Sequence, residues 1–81
     1  MQLNVLFFAQ ARERAGVSSA ILTLPEGACV RDALDALVRE HADLAPLRAH
    51  LAVAQDGVLV RAADALRDGA ELALLPPVSG G

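Results

Sequence analysis

The sequence has 81 residues, of which 54% are hydrophobic and 2% are aromatic, and its net charge is −3 at pH 7. That length predicts a single domain, and the apolar content suffices for a core. The acidic balance and the scarcity of aromatic side chains argue against nucleic-acid binding, and no apolar run approaches the roughly 20 residues that span a bilayer.

The first three predicted elements are a strand, a short helix and a second strand. Residues 2–10, QLNVLFFAQ, alternate in the manner of a strand with one buried face. Adjacent strand residues face opposite sides, so one of Phe7 and Phe8 should be core and the other exposed. Residues 9–16 predict a short polar helix or turn closed by Gly16, and SAILT after it predicts a strand that Pro25 ends. The short connection favours antiparallel pairing of the two strands.

The clearest helix is predicted over CVRDALDALVREHADL, which begins at Cys29. Its apolar residues recur with the spacing of one helical face, which comprises Val30, Ala33, Leu34, Leu37, Val38 and His41. Cys29 occupies the N-cap position and Asp32 the matching capping-box position, although a thiol is a weaker acceptor than a hydroxyl. Pro46 should prevent any continuation of the helix.

The remaining pattern predicts a hairpin at Asp56-Gly57, a turn at Asp68-Gly69 and a last strand over residues 71–75. The resulting fold class is α+β, with a mixed sheet of about five strands wrapped on one main helix. We predict a folded domain over residues 1–75 and an extended, flexible C-terminal tail over residues 76–81.

The last residues, PPVSGG, predict a thin tail with one reactive group. Pro76 and Pro77 lack backbone donors and should end the sheet, and six residues can reach at most roughly 20 Å. Gly80 and Gly81 have no side chains, so the terminal carboxylate is open to attack a phosphoanhydride. ATP-dependent conversion to an acyl-adenylate is the simplest chemistry, and a disordered stub is the alternative.

Two blocks of sequence resemble a known family. VLFFAQARERAG at residues 5–16 and DGAELALLPPVSGG at residues 68–81 are similar to the small subunits of molybdopterin synthase. These are MoaD-type sulfur carriers of the MoaD/ThiS family, with a ubiquitin-like β-grasp fold. The Gly-Gly end alone is shared with the thiamine-pathway sulfur carrier and with ubiquitin.

The resemblance implies a function in molybdenum cofactor biosynthesis. An ATP-dependent activating enzyme would adenylate Gly81 and convert it to a thiocarboxylate, which would donate sulfur to cyclic pyranopterin monophosphate. The tail would enter the large synthase subunit, which would supply the catalytic side chains in a heterotetramer of two small and two large subunits. The chain itself would bind no cofactor or metal. The inserted residues would be Pro76, Pro77, Val78, Ser79 and Gly80.

The resemblance also implies a partner interface. The matching positions are Phe8, Arg12, Leu59 and Leu75. Leu75 stands where the family often has phenylalanine, and Ala54 where it often has asparagine. An exposed phenylalanine beside Leu59 and Leu75 would form a hydrophobic surface at the sheet end from which the tail departs.

Several alternatives remain open at this stage. Cys29 could relay sulfur or simply cap the helix, and His41 and His50 could bind metal or be structural. The Arg12–Arg14 run could be a solvated turn or a docking site. The chain could also be a thiamine-pathway-type sulfur carrier, a ubiquitin-like protein modifier or a plain structural subunit. All seven basic residues are arginine, so no side-chain amine on the chain could accept an activated Gly81.

A cytoplasmic location is expected from two features. A single cysteine excludes an intrachain disulfide and fits a reducing compartment. The sequence shows no basic segment followed by an apolar run and a small-residue cleavage site, so we predict no secretory signal.

Overall fold

A computed structural model describes residues 1–77 of the chain. Five strands and two α-helices are joined by short turns and one 3₁₀ segment. Their bounds are β1 Gln2–Phe7, α1 Ala9–Ala15, β2 Ser19–Thr23, α2 Val30–Glu40, the 3₁₀ segment Ala42–His50, β3 Ala52–Gln55, β4 Val58–Val60 and β5 Glu71–Leu75. The tail residues Val78, Ser79, Gly80 and Gly81 lie outside the described residues.

The five strands form one mixed sheet in the order β2-β1-β5-β3-β4. The central pair, β1 and β5, is parallel, whereas β1–β2, β5–β3 and β3–β4 are antiparallel. This confirms the predicted mixed sheet and the antiparallel pairing of the first two strands. The sheet packs one face against α2, which is the ubiquitin-like β-grasp arrangement.

The core lies between one face of the sheet and α2. Alternate strand residues point into it, among them Leu3, Val5, Phe7, Leu22, Val53, Leu72 and Leu74. From α2 the buried residues are Val30, Ala33, Ala36 and Leu37. The predicted stripe is therefore displaced slightly, because Leu34 and Val38 are only half-buried and the small Ala36 allows close packing.

The N-terminus of α2 has the predicted cap. The backbone at Cys29 is extended (φ −110°, ψ 177°), and its N–H donates a hydrogen bond of 2.9 Å to the Asp32 carboxylate. That hydrogen bond, together with a weaker one involving the Cys29 side chain, lowers the pKa of Asp32 below its ordinary value of 3.8. Cys29 thus serves as the N-cap residue of α2.

Replacing Asp32 with Asn should make the stability of the protein less sensitive to acid. Because the folded-state pKa is lowered, the Asp32 carboxylate stabilises the native state above pH 3.8, and this contribution is lost as the pH falls through the folded-state value. Asp32→Asn should therefore be less stable than wild type at neutral pH, and the difference should shrink below pH 3.8. Thermal unfolding followed by circular dichroism across this range measures the difference. Glu13→Gln, an exposed substitution on α1, controls for the loss of one charge, and an unchanging gap would contradict the assignment.

Residues 42–50 form a 3₁₀ segment that the sequence pattern did not predict. Helix α2 already ends at Glu40, where the N–H of His41 donates to the Leu37 carbonyl at 2.8 Å. Pro46 therefore does not end α2 but lies inside the following segment. Leu44 and Leu47 are both buried, which suits a helix of three residues per turn.

The predicted hairpin turn is present between β3 and β4. Asp56 and Gly57 both have positive φ, 48° and 85°, as a two-residue type I′ turn requires. Gln55 pairs with Val58 directly across the turn. The dipeptide thus sets the register of β3 and β4.

Candidate functional site

The face of the sheet opposite α2 carries a continuous apolar surface. Directly paired residues share a face, and the pairs Leu6↔Ala73, Ala73↔Ala54 and Ala54↔Leu59 form one row across four strands. A second row contains Ala52 and Leu75, which pair on β3 and β5. We call these residues and Phe8 the outer patch, which comprises Leu6, Phe8, Ala52, Ala54, Leu59, Ala73 and Leu75.

Phe8 joins the outer patch because the backbone stays extended one residue beyond β1. Its φ and ψ are −114° and 149°, and its N–H donates to the Leu74 carbonyl at 3.3 Å. Phe7 is fully buried, whereas Phe8 is 44% exposed, so the prediction that the two rings face opposite sides is confirmed. Leu59 is 69% exposed and Leu75 is half-buried. The structure therefore brings the three predicted apolar interface residues onto one face.

The tail leaves the sheet beside this patch. β1 and β5 are parallel, so their carboxyl ends lie at the same end of the sheet, which we call the exit end. Pro76 and Pro77 follow β5 outside any strand. Helix α1 begins just after Phe8, at this same end. The outer patch and the base of the tail thus adjoin each other.

The two arginines of α1 have different environments. Arg14 Nη1 donates to the Asp43 carbonyl at 3.4 Å, which ties α1 to the 3₁₀ segment. Arg12 is exposed, and neither of the two ion pairs within residues 1–77 involves it. Of the two side chains, that of Arg14 is thus held by a contact to the 3₁₀ segment, and that of Arg12 is exposed.

Position 54, where this chain has alanine and the resembled family often has asparagine, lies within the outer patch. Ala54 lies in β3, paired with Leu59 on one side and Ala73 on the other, and it is almost fully buried. The contact that an asparagine would make here therefore concerns the centre of the sheet face and not the hairpin turn. Ala73 and Ala54 thus occupy adjacent positions in the row between Leu6 and Leu59.

A polar network missed by the sequence analysis connects the end of β3 to residues 65–67 and to the first residue of β5. Gln55, 7% exposed, accepts a hydrogen bond from the Arg67 N–H at 2.9 Å and donates to the Ala65 carbonyl at 3.2 Å. Asp56 accepts from the Glu71 N–H at 2.9 Å and pairs with the Arg67 guanidinium at 2.7 Å. A one-residue slip of β5 would turn Leu75 into the core and Leu74 outward. The hydrogen bond between Asp56 and Glu71 adds to the β3–β5 pairing that keeps Leu75 on the outer face.

Replacing Gln55 with Ala should destabilise the fold by about 1–3 kcal/mol, because it leaves the Arg67 N–H and the Ala65 carbonyl without their partner. Urea unfolding followed by circular dichroism measures the loss. The matched control is Gln10→Ala, since Gln10 is exposed on α1 and should change stability by less than about 0.5 kcal/mol. Equal effects of the two substitutions would contradict a role for the buried amide.

The two histidines that were considered as metal ligands lie in different environments. The His41 ring lies edge-on to Phe7, with ring centroids 5.5 Å apart, and His50 is exposed at the end of the 3₁₀ segment. Within residues 1–77, no group of three or more His, Cys, Asp or Glu side chains is arranged to hold a metal ion. No helix in the same range is long and apolar enough to cross a membrane.

Comparison with known proteins gives consistent matches over nearly the whole chain. The model of the ThiS family matches residues 5–81. The molybdopterin synthase sulfur carrier subunit of Chlamydomonas reinhardtii is 40% identical, with all of both chains covered. The small archaeal modifier protein 1 of Haloferax volcanii is 39% identical over 91% of this chain and 94% of its own length.

Solved structures give the same picture. The crystal structure of that Haloferax protein superposes with a TM-score of 0.91 at 35% identity, covering all of both chains. A protein–protein complex of subunits 1 and 2 of the molybdopterin-converting factor from Helicobacter pylori contains a chain that matches with a TM-score of 0.71 and 26% identity. That match also covers both chains completely.

Proposed function

Because the chain belongs to the ThiS family, we propose that it carries sulfur for molybdopterin synthesis on the α-carboxyl group of Gly81. The observation that carries the proposal is the end-to-end match, at 40% identity, to a molybdopterin synthase sulfur carrier subunit. The Gly80-Gly81 pair makes the terminal carboxylate reactive towards a partner enzyme, because no side chain on either residue obstructs access to it.

The loading step proceeds in two substitutions. A Gly81 carboxylate oxygen attacks the α-phosphorus of ATP, the bond to pyrophosphate breaks, and the carboxyl group becomes an acyl-adenylate. A sulfide-level nucleophile then attacks the acyl carbon and AMP departs, which leaves a terminal thiocarboxylate. A separate activating enzyme binds the ATP and promotes both substitutions. This chain acts as the substrate of that enzyme.

The delivery step takes place on a second partner. The thiocarboxylate sulfur displaces an oxygen substituent from a carbon of cyclic pyranopterin monophosphate, so that a carbon–sulfur bond forms as that carbon–oxygen bond breaks. Water then cleaves the bond between the sulfur and the Gly81 acyl carbon, which returns the Gly81 carboxylate and leaves the sulfur on the substrate. Two such transfers supply the two sulfurs of the dithiolene. The tail from Pro76 to Gly81 extends into the large subunit, whose side chains carry out the catalysis. The Helicobacter complex of two converting-factor subunits supports a two-subunit arrangement.

The outer patch is the surface that we assign to the large subunit. Phe8 and Leu59 are large, exposed apolar side chains, and Leu75 is the residue of the patch that directly precedes the tail. Burying such residues contributes most of the binding energy in many interfaces. Arg12, at the exit end, adds a charge that can pair with an acidic group of the partner. The same surface can serve the activating enzyme, because the two partners need the tail at different times.

A mass measurement of the tail tests the proposal. The protein is coexpressed with its activating enzyme and digested with trypsin, which should release residues 68–81 as the last peptide because cleavage follows Arg67. That peptide contains neither cysteine nor methionine, so oxidation at sulfur cannot imitate replacement of oxygen by sulfur. We expect an oxygen-to-sulfur mass increase located at Gly81. An unmodified peptide, with cofactor synthesis surviving deletion of Gly80 and Gly81, would contradict the proposal.

The match to an archaeal modifier protein favours a second candidate function. The Haloferax protein is named as a modifier, and activation of Gly81 followed by attack of a lysine amine would join this chain to another protein. The chain has no lysine, so it could mark other proteins once but could not extend on its own side chains. A Gly81–lysine linkage found on a foreign protein by the same mass measurement would support this function.

A further inference from the structure

The strand β2 lies at one edge of the sheet and has an open row of backbone groups. The Phe7 N–H donates to the Ser18 carbonyl, and the Leu24 N–H donates to the Met1 carbonyl, each at 2.9 Å. Hydrogen-bonded pairs alternate along an antiparallel ladder. The even-numbered residues of β2 therefore bond to β1, whereas Ser19, Ile21 and Thr23 direct their N–H and C=O groups away from the sheet. Within residues 1–77 no further strand pairs with them.

This edge lacks the usual protection against pairing. Natural edge strands are commonly protected by charged side chains, prolines, bulges or covering segments. Residues 17–24, VSSAILTL, contain no charged residue and no proline. The side chains of Ser19 and Thr23 are exposed, and Ile21 is 67% exposed. Both the backbone and the side chains of β2 are thus presented to an incoming strand.

The opposite edge of the sheet, by contrast, has few open backbone groups. β4 contains three residues, and the alternation that starts from the Gln55–Val58 pair leaves Leu59 as the residue whose backbone groups point outward. The chain after β4 turns towards α2, where the Arg31 N–H donates to the Ala62 carbonyl at 2.8 Å and the Val30 N–H donates to the Asp64 carbonyl at 3.0 Å. An incoming strand that paired with β4 would therefore form few backbone hydrogen bonds.

We propose that two copies of the chain pair through their β2 strands, antiparallel, around a two-fold axis at Ile21. In this register Ile21 lies opposite the same residue of the second copy, and Ser19 lies opposite Thr23. Each of these pairs exchanges both N–H···O=C bonds, because all three residues have open backbone groups. The Ile21 side chains contact each other, and no charges are brought together.

The two-fold symmetry favours a second copy over other occupants. An uncharged antiparallel edge is complementary to itself, and pairing β2 with β2 uses both open edges, so assembly stops at a dimer. The contact involves five residues from each copy. A contact of this size buries far less surface than the roughly 1,200–2,000 Å² that stable complexes bury. We therefore expect weak, reversible association. The outer patch is centred on β1, β5, β3 and β4 and stays free, so this inference is independent of the proposed function.

Sedimentation equilibrium over about a hundredfold range of concentration tests the pairing, because association makes the average mass concentration-dependent. Wild type should rise from 8.4 kDa towards twice that mass. Ile21→Arg, which places two like charges opposite each other at the axis, should remain monomeric. Val58→Arg is the matched control, since Val58 is 66% exposed on the other edge strand, and it should associate like wild type. Circular dichroism checks that both variants fold.

Amide hydrogen exchange locates the contact. The N–H groups of Ser19, Ile21 and Thr23 should become more protected as wild-type concentration rises, whereas that of Leu59 should not. A wild type that stays monomeric throughout, association that survives Ile21→Arg, or loss of association in Val58→Arg alone would each overturn the proposal. Protection of the same amides only by a foreign protein would also overturn it, because the occupant would then not be a second copy.

Discussion

Appending one alanine after Gly81 is expected to abolish thiocarboxylate formation completely while leaving the folded domain unchanged. The added residue converts the Gly81 carboxylate into an amide, which cannot attack ATP, and it moves the free carboxylate onto a residue that bears a β-carbon. The expected loss is therefore one of chemistry and not of stability. Intact-mass spectrometry after coexpression with the activating enzyme measures both the retained alanine and the absence of sulfur.

The control for this experiment is Ser79→Ala, which changes a tail side chain but leaves the Gly80-Gly81 end intact. It should still be loaded with sulfur. The unfolding temperatures of the extended variant, the control and wild type should agree, because the change lies beyond β5. A sulfur-loaded protein that retains its extra alanine would show that the reactive carboxyl group lies elsewhere, and the proposed function would then fail.

Leu74→Ala is expected to have the largest effect on stability, with a loss of about 2–5 kcal/mol. Leu74 is 1% exposed and lies on the central strand β5, between Phe7 on β1 and Val53 on β3. Truncation leaves a cavity in the core, on the strand between β1 and β3. Since small domains have total stabilities of about 5–15 kcal/mol, the variant should be close to unfolding. Urea denaturation followed by far-ultraviolet circular dichroism measures the loss.

Leu75→Ala is the matched control, because it makes the same chemical change one residue later on the opposite face. Leu75 is half-buried in the outer patch, so the cost in stability should be about 1 kcal/mol or less. Under the proposed function the order of effects should reverse for partner binding: Leu75→Ala weakens binding to the large subunit although the domain remains folded. Equal destabilisation by both substitutions would contradict the assignment of the two faces.

The elements that the sequence predicted well are those with local causes. The alternation in β1, the Asp56-Gly57 turn and the capping position of Asp32 each depend on residues within a few positions of one another. The 3₁₀ segment was missed because Leu44 and Leu47 recur at a spacing of three around Pro46, which resembles neither a strand nor an α-helix. The burial of Ala36 was missed because a small residue gives a weak periodic signal.

The candidate site could be predicted only in part from the sequence. The resemblance named Phe8, Arg12, Leu59 and Leu75, whereas only the structure showed that the neighbouring Arg14 contacts the distant Asp43 carbonyl. The Gln55 network was not predictable, because its partners follow ten to twelve residues later in the chain. A glutamine at the end of a strand would ordinarily be expected at the surface.

By itself, the sequence determined the local elements, the absence of side-chain amines and the chemistry available to a carboxyl group beside two glycines. Tertiary structure alone decided which residues form the outer patch, which backbone groups the buried Gln55 side chain bonds and which strand leaves its edge open. The physical reason is the distance along the chain over which pairing acts. β1 joins β5 across more than sixty residues, and only that pairing places β2 at the edge and brings Phe8 beside the strand from which the tail departs.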